Sequence, residues 1–76
     1  MMTLAEIIKE SFSLKEADQK DDVVLNSLDE WESMAHMLFI TRVEENFEVE
    51  FTGDDIFAMQ SIGDIKKKLA EKGKQV

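Results

Sequence analysis

From Ser33 to Phe47 the chain runs without a glycine or a proline. Stepped at roughly 100° per residue, His36, Phe39, Ile40, Val43 and Phe47 fall on one face of this stretch. That spacing makes the segment a helix, and its apolar stripe is the surface around which any fold of this chain must be arranged. Met34, Leu38, Thr41 and Glu45 fall opposite the stripe, with Met37 and Glu44 on the Ser33 side. A helix with only solvent on that side would be polar there, so the outward methionines and leucine call for an explanation.

The remaining segments leave room for one small domain. The chain has 76 residues, and a body of that size buries only about 60% of its unfolded surface. Thr3 and Glu6 have capping-box spacing, and Leu4, Ile7, Ile8 and Phe12 follow at helical spacing, which predicts a first helix over residues 4–12. Residues 13–32 are polar and lack a period; we expect a long ordered loop anchored by Val23, Val24, Leu25, Leu28 and Trp31. Glu48 to Phe51 reads as an extended connector. Thr52 with Asp55 opens a short helix over about 54–58, and Ser61 with Asp64 opens a last one whose stripe is Ile62, Ile65 and Leu69. Gly73 stops it, and residues 73–76 should fray. The expected fold class is all-α: three main helices and one short one as a single domain over 1–76, with the long loop between helices 1 and 2. Phe12, Trp31, Phe39, Phe47, Phe51 and Phe57 are expected to dominate the core, each contributing roughly 1.5–3 kcal/mol on burial.

Charge and composition exclude several functions. Nine carboxylates lie between Asp29 and Asp55 with only Arg42 against them. Such a field repels nucleic acid and anionic membrane and attracts basic protein surfaces. The lysines at 66–68 fall near a helix end, where cations complement the dipole. With no cysteine and one histidine, neither a disulfide framework nor a Cys- or His-based zinc site can form. The longest wholly apolar run is Met37 to Ile40, far below the roughly 20 residues that span a bilayer. No leader segment is recognisable, and the expected location is the cytoplasm. Ser33 and His36 are helical neighbours, but no third triad member or oxyanion donor accompanies them. The paired acids meet neither the EF-hand pattern nor the need for two carboxylates flanking a cleft. No catalytic residue is assigned and no metal site is expected.

Ser33 remains. A serine at a helix start is a natural N-cap, and this is the simplest role it could have. A helix start also suits a phosphate group, because its unpaired N–H groups and dipole stabilise an anion. The segment Leu28-Asp29-Glu30-Trp31-Glu32-Ser33-Met34-Ala35-His36, followed by Val43-Glu44-Glu45-Asn46-Phe47, resembles the attachment region of the acyl carrier proteins, whose pattern is Asp-Ser-Leu, an apolar helix, then Leu-Glu-Glu-x-Phe. Phe51-Thr52-Gly53-Asp54-Asp55-Ile56 and Ser61-Ile62-Gly63-Asp64-Ile65 resemble that family's last two helices, so the likeness covers residues 4–72. Glu32 replaces the usual Asp and Met34 the usual Leu, each within its chemical class.

The resemblance implies an acyl-carrier-like four-helix bundle that is a monomer and not an enzyme. It implies a 4′-phosphopantetheine arm, taken from coenzyme A and esterified to Ser33 by a phosphopantetheinyl transferase, with Glu32 and Met34 flanking the attachment. The arm's thiol would carry an acyl or aminoacyl group as a thioester, as in fatty acid or polyketide biosynthesis. Met37 and Leu38, with Glu44, Glu45 and Glu48, would form the surface that meets acyl-activating and acyl-transferring enzymes through their basic docking faces. The competing expectation is a small acidic helical adaptor that binds a basic partner, with Ser33 only an N-cap.

Overall fold

The computed structural model describes residues 2–75. Four α-helices are present, α1 (Leu4–Phe12), α2 (Ser33–Phe47), α3 (Gly53–Ala58) and α4 (Ile62–Glu71), and no strand is formed among the described residues. The long segment between α1 and α2 is not a featureless loop. It holds two single 3₁₀ turns, Glu16–Asp18 and Leu25–Ser27.

Three of the helices start as their sequences dictate. Thr3 with Glu6, Thr52 with Asp55, and Ser61 with Asp64 all form complete capping boxes. In each, two backbone N–H groups that a helix start leaves unpaired are satisfied reciprocally. The stops are equally local. Gly73 takes φ +80°, its N–H donates to Ala70 and that of Lys74 donates to Leu69, which is a Schellman closure. Of the residues expected to fray, 73–76, Gly73 and Lys74 carry these two bonds, and Val76 lies outside the described residues. α2 ends on Glu48 in the left-handed region, φ 54°, where glycine would be strain-free.

The core lies between α1, α2 and α4. Ile7, Ile8 and Phe12 of α1, Phe39, Ile40 and Val43 of α2 and Ile62, Ile65 and Leu69 of α4 are all buried and belong to one cluster. The Phe12 and Phe39 rings pack at a tilt with centroids 5.4 Å apart. Leu4 of α1, Leu25 from the segment before α2 and Met59 from that between α3 and α4 complete the cluster. Only part of the expected aromatic core is realised. Phe12 and Phe39 are buried, while Trp31, Phe47 and Phe51 are half-buried at its margin. Phe57 is corrected outright: it is 79% exposed. The six-residue α3 buries none of its residues fully, and Ile56 supplies its partly buried contact with the core.

Backbone hydrogen bonds fix the long segment's position. Leu25 N–H donates to the Gln60 carbonyl at 2.9 Å, Ile62 N–H to Val23 at 3.0 Å and Gly63 N–H to Asp21 at 2.8 Å. Gly63 permits this approach, since a Cβ there would stand 3.0 Å from the Asp21 carbonyl oxygen. Among the expected anchors Leu25 is buried, Val23, Leu28 and Trp31 are half-buried, and Val24 is largely exposed. The Cα radius of gyration, 11.1 Å, matches the roughly 11 Å expected of one compact body of this length. We predict that Gly63→Val lowers stability by about 1–3 kcal/mol in urea unfolding, because added methyls must displace backbone rather than a side-chain tip. Unchanged stability would show that the contact at Asp21 is loose.

Candidate functional site

α2 is the one α-helix of the four that starts without a side-chain cap. Its N-cap residue is Glu32, extended at φ −151° and ψ 162°, and the Glu32 side chain accepts no bond from the helix. No acid occupies the first turn. Ser33 is the first helical residue, not the cap, so the expectation that it closes the helix start is corrected. Its side chain enters none of the hydrogen bonds of the described residues, and the residue is exposed. The reason is conformational: a cap must be extended, and the extended residue here is Glu32.

An apolar patch lies beside this serine. Met34 is 72% exposed, Met37 52% and Leu38 53%. These are the outward positions picked out by helical angle, and the inward ones, Phe39, Ile40 and Val43, are buried as that angle requires. Around the patch stand exposed acids: Asp29, Glu30 and Glu32 before the helix, Glu45 within it and Glu48 at its end.

The expected docking acids do not form one class. Glu45 and Glu48 are exposed, but Glu44 is half-buried and its carboxylate accepts the Phe51 N–H at 2.8 Å. Glu44 thus fastens the connector after α2 to the helix. Asp55 is similarly committed. Its carboxyl is pulled down to about 2, first by the Thr52 N–H it accepts and then by Lys72. It pairs with Lys72 at 3.2 Å and Lys68 at 3.5 Å, joining α3 to α4, and Lys72 also lies 5.7 Å from the Phe51 ring centre.

His36 sits on the core-facing edge of α2, as its angle requires, but half-buried. Its Nδ1 accepts the Trp31 indole N–H at 3.1 Å, and burial holds the imidazole below its ordinary value. That contact commits Nδ1 to the indole, so a base paired to Ser33 through this nitrogen has no support here. Trp31 and His36 border an open groove of about 240 Å³, lined also by Leu25, Asn26, Ile56, Phe57, Met59 and Gln60. The sequence treated Trp31 and His36 separately, as an anchor and a core residue; their bond crosses a helix boundary, where periodicity is silent. Among the described residues no three acids or histidines cluster to hold a metal, and no helix is long and apolar enough to cross a membrane.

No protein-family model matches the chain, and no curated protein matches it.

The site yields a stability test. Since Ser33 is not a cap, Ser33→Ala should change unfolding free energy by less than about 0.5 kcal/mol. Ser61→Ala, which breaks a capping box, should cost about 1 kcal/mol. Equal losses in thermal melts of the two variants would restore a capping role to Ser33.

Proposed function

We propose that this chain is an acyl carrier protein that holds a 4′-phosphopantetheine arm on Ser33. One observation carries the reading. Ser33 is exposed and free of side-chain bonds at the first position of an α2 that has no side-chain cap and no acid in its first turn. A helix start so arranged stabilises an anion through its unpaired N–H groups and dipole, so a phosphodiester on this hydroxyl fits the residues present. Four helices, one of them short, with a long segment after the first, support an acyl-carrier-like bundle.

The arm's terminal thiol supplies the thioester on which an acyl or aminoacyl group is carried. Ser33 Oγ would form the new P–O bond as the pyrophosphate linkage of coenzyme A breaks. Adenosine 3′,5′-bisphosphate leaves, and the hydroxyl proton passes to a base on the transferase. This chain then catalyses nothing, in keeping with the engagement of His36 Nδ1 by Trp31. Glu32 and Met34 flank the attachment point, where a phosphopantetheinyl transferase must grip. Met34, Met37 and Leu38 give a shallow, adaptable contact for several enzymes in turn. Glu45 and Glu48, with the loop acids, steer basic faces toward it. In this reading the protein is a cytoplasmic monomer, without nucleic-acid or membrane partners. The adaptor alternative gave Ser33 a capping role that it does not fill.

Co-expression with a broad-specificity phosphopantetheinyl transferase should add the mass of one arm, and Ser33→Ala should abolish the gain. An unmodified wild-type chain, or an arm mapped to another residue, would refute the reading. Reversing Glu45 and Glu48 to Lys should lower the rate of modification at low salt by about tenfold while the fold survives. Equal rates for the two chains would make those acids solubilising only.

A further inference from the structure

A bond joins the end of the long segment to the first turns of α2. Trp31 Nε1–H donates to His36 Nδ1 at 3.1 Å, and the two rings meet edge-on with centroids 6.1 Å apart. The partners stand two residues before Ser33 and three after it, so the bond spans the serine. Because Nδ1 accepts, the proton of the neutral imidazole is on Nε2. The His36 ring is backed by Phe39, at 6.3 Å between centroids.

The segment just before Ser33 is held by the packing of Leu28 and Trp31 against the core and has few polar ties. The Trp31 N–H bonds only locally, to the Leu28 carbonyl, and the Glu32 carbonyl makes the first bond of α2 itself, to His36. Apart from that Glu32–His36 bond, no backbone hydrogen bond described for residues 29–32 reaches another element. The indole–imidazole bond is the side-chain hydrogen bond that ties this segment to α2.

We propose that His36 is the positioning residue of the Ser33 site: by accepting the Trp31 indole proton it clasps the preceding segment to α2 and holds Ser33 in one presentation. Protonation of Nδ1 removes the lone pair, so the clasp opens in acid. No other titratable side chain lines the groove that His36 shares with the Leu25–Ser27 turn, α3 and Met59. On α3, Asp55 is taken up by Lys68 and Lys72 and Asp54 is exposed, as are Asp29, Glu30 and Glu32 before the helix. Burial lowers the imidazole from 6.5, so the clasp is complete above that pH and is lost as the pH falls through the lower folded value. The clasp rests on this geometry alone; its consequence for Ser33 rests on the carrier reading.

Two measurements separate the two layers. In a nitrogen-15-labelled chain titrated from about pH 8 to about pH 5, the Trp31 indole and His36 resonances should move together with one midpoint below 6.5. In His36→Asn, whose amide oxygen keeps an acceptor but cannot be protonated in that range, the indole resonance should stay in place. In His36→Leu the indole proton should exchange with water quickly at every pH. An indole resonance that ignores the His36 titration overturns the clasp. With a phosphopantetheinyl transferase and coenzyme A near neutral pH, His36→Leu should lower kcat/KM for Ser33 modification about tenfold, and His36→Asn should restore it to within about twofold. Circular dichroism checks that both variants keep the fold. Modification of His36→Leu at the wild-type rate overturns the positioning role. A wild-type chain that is never modified overturns the carrier reading and that role with it, while the indole titration still decides the clasp.

Discussion

Three backbone hydrogen bonds, from residues 21–25 to residues 60–63, hold this structure in its arrangement. They surround an isolated antiparallel bridge, Val24 with Ser61, and no strand is formed among the described residues. Besides them the long segment is tied to the helices by Gln19, whose amide donates to the Ala5 carbonyl, and by the Asp21–Lys66 ion pair. With the three backbone bonds, Leu25 is set into the core and the chain is delivered to α2 at a defined place. The stitch depends on a missing atom, because Gly63 approaches the Asp21 carbonyl more closely than a Cβ comfortably allows. In a domain of this size the hydrophobic core supplies little surplus, so a few satisfied backbone groups decide where twenty residues lie.

The helix starts show a division of labour. Where α1, α3 and α4 meet solvent, side chains close them and a local acid satisfies the N–H groups. α2, the longest helix, is left open, and its first turn holds a serine instead of a carboxylate. Acids are abundant before it and after it but missing from that turn, the position where they would compete with a bound phosphate for the dipole. The carboxylates also divide by task. Glu44 and Asp55 are spent on Phe51 and on the lysines of α4, which leaves Glu45, Glu48 and the loop acids free to act at a distance.

Much of this was legible in the residues, wherever the cause is local. The boundaries of α1 follow from Thr3, Glu6 and the Leu4–Phe12 stripe, and the buried face of α2 follows from helical angle. The capping boxes of α3 and α4 are present as their spacing implies. What escaped was non-local or aperiodic. Phe57 was expected inside, but a helix of six residues has too few turns to define a face, and α3 lies over the margin of the core. The capping role that the residue type of Ser33 favours, and that the competing adaptor expectation gives it, falls to Glu32, the extended residue before the helix. The stitch at Gly63 and the Trp31–His36 bond join segments that no local pattern relates. For the site, the exposed Met34, Met37 and Leu38 were legible as outward positions, and the engagement of Glu44 by Phe51 was not.

The central claim is that the Ser33 hydroxyl is a point of covalent attachment. Tandem mass spectrometry of the peptide containing Ser33, from chain purified from its native cells, tests it most directly, with phosphorus resonance on the intact protein as a second channel. The account predicts a phosphodiester on Ser33 ending in a thiol or its thioester, and one matching phosphorus signal. A bare serine in every copy, with no phosphorus signal, would contradict it.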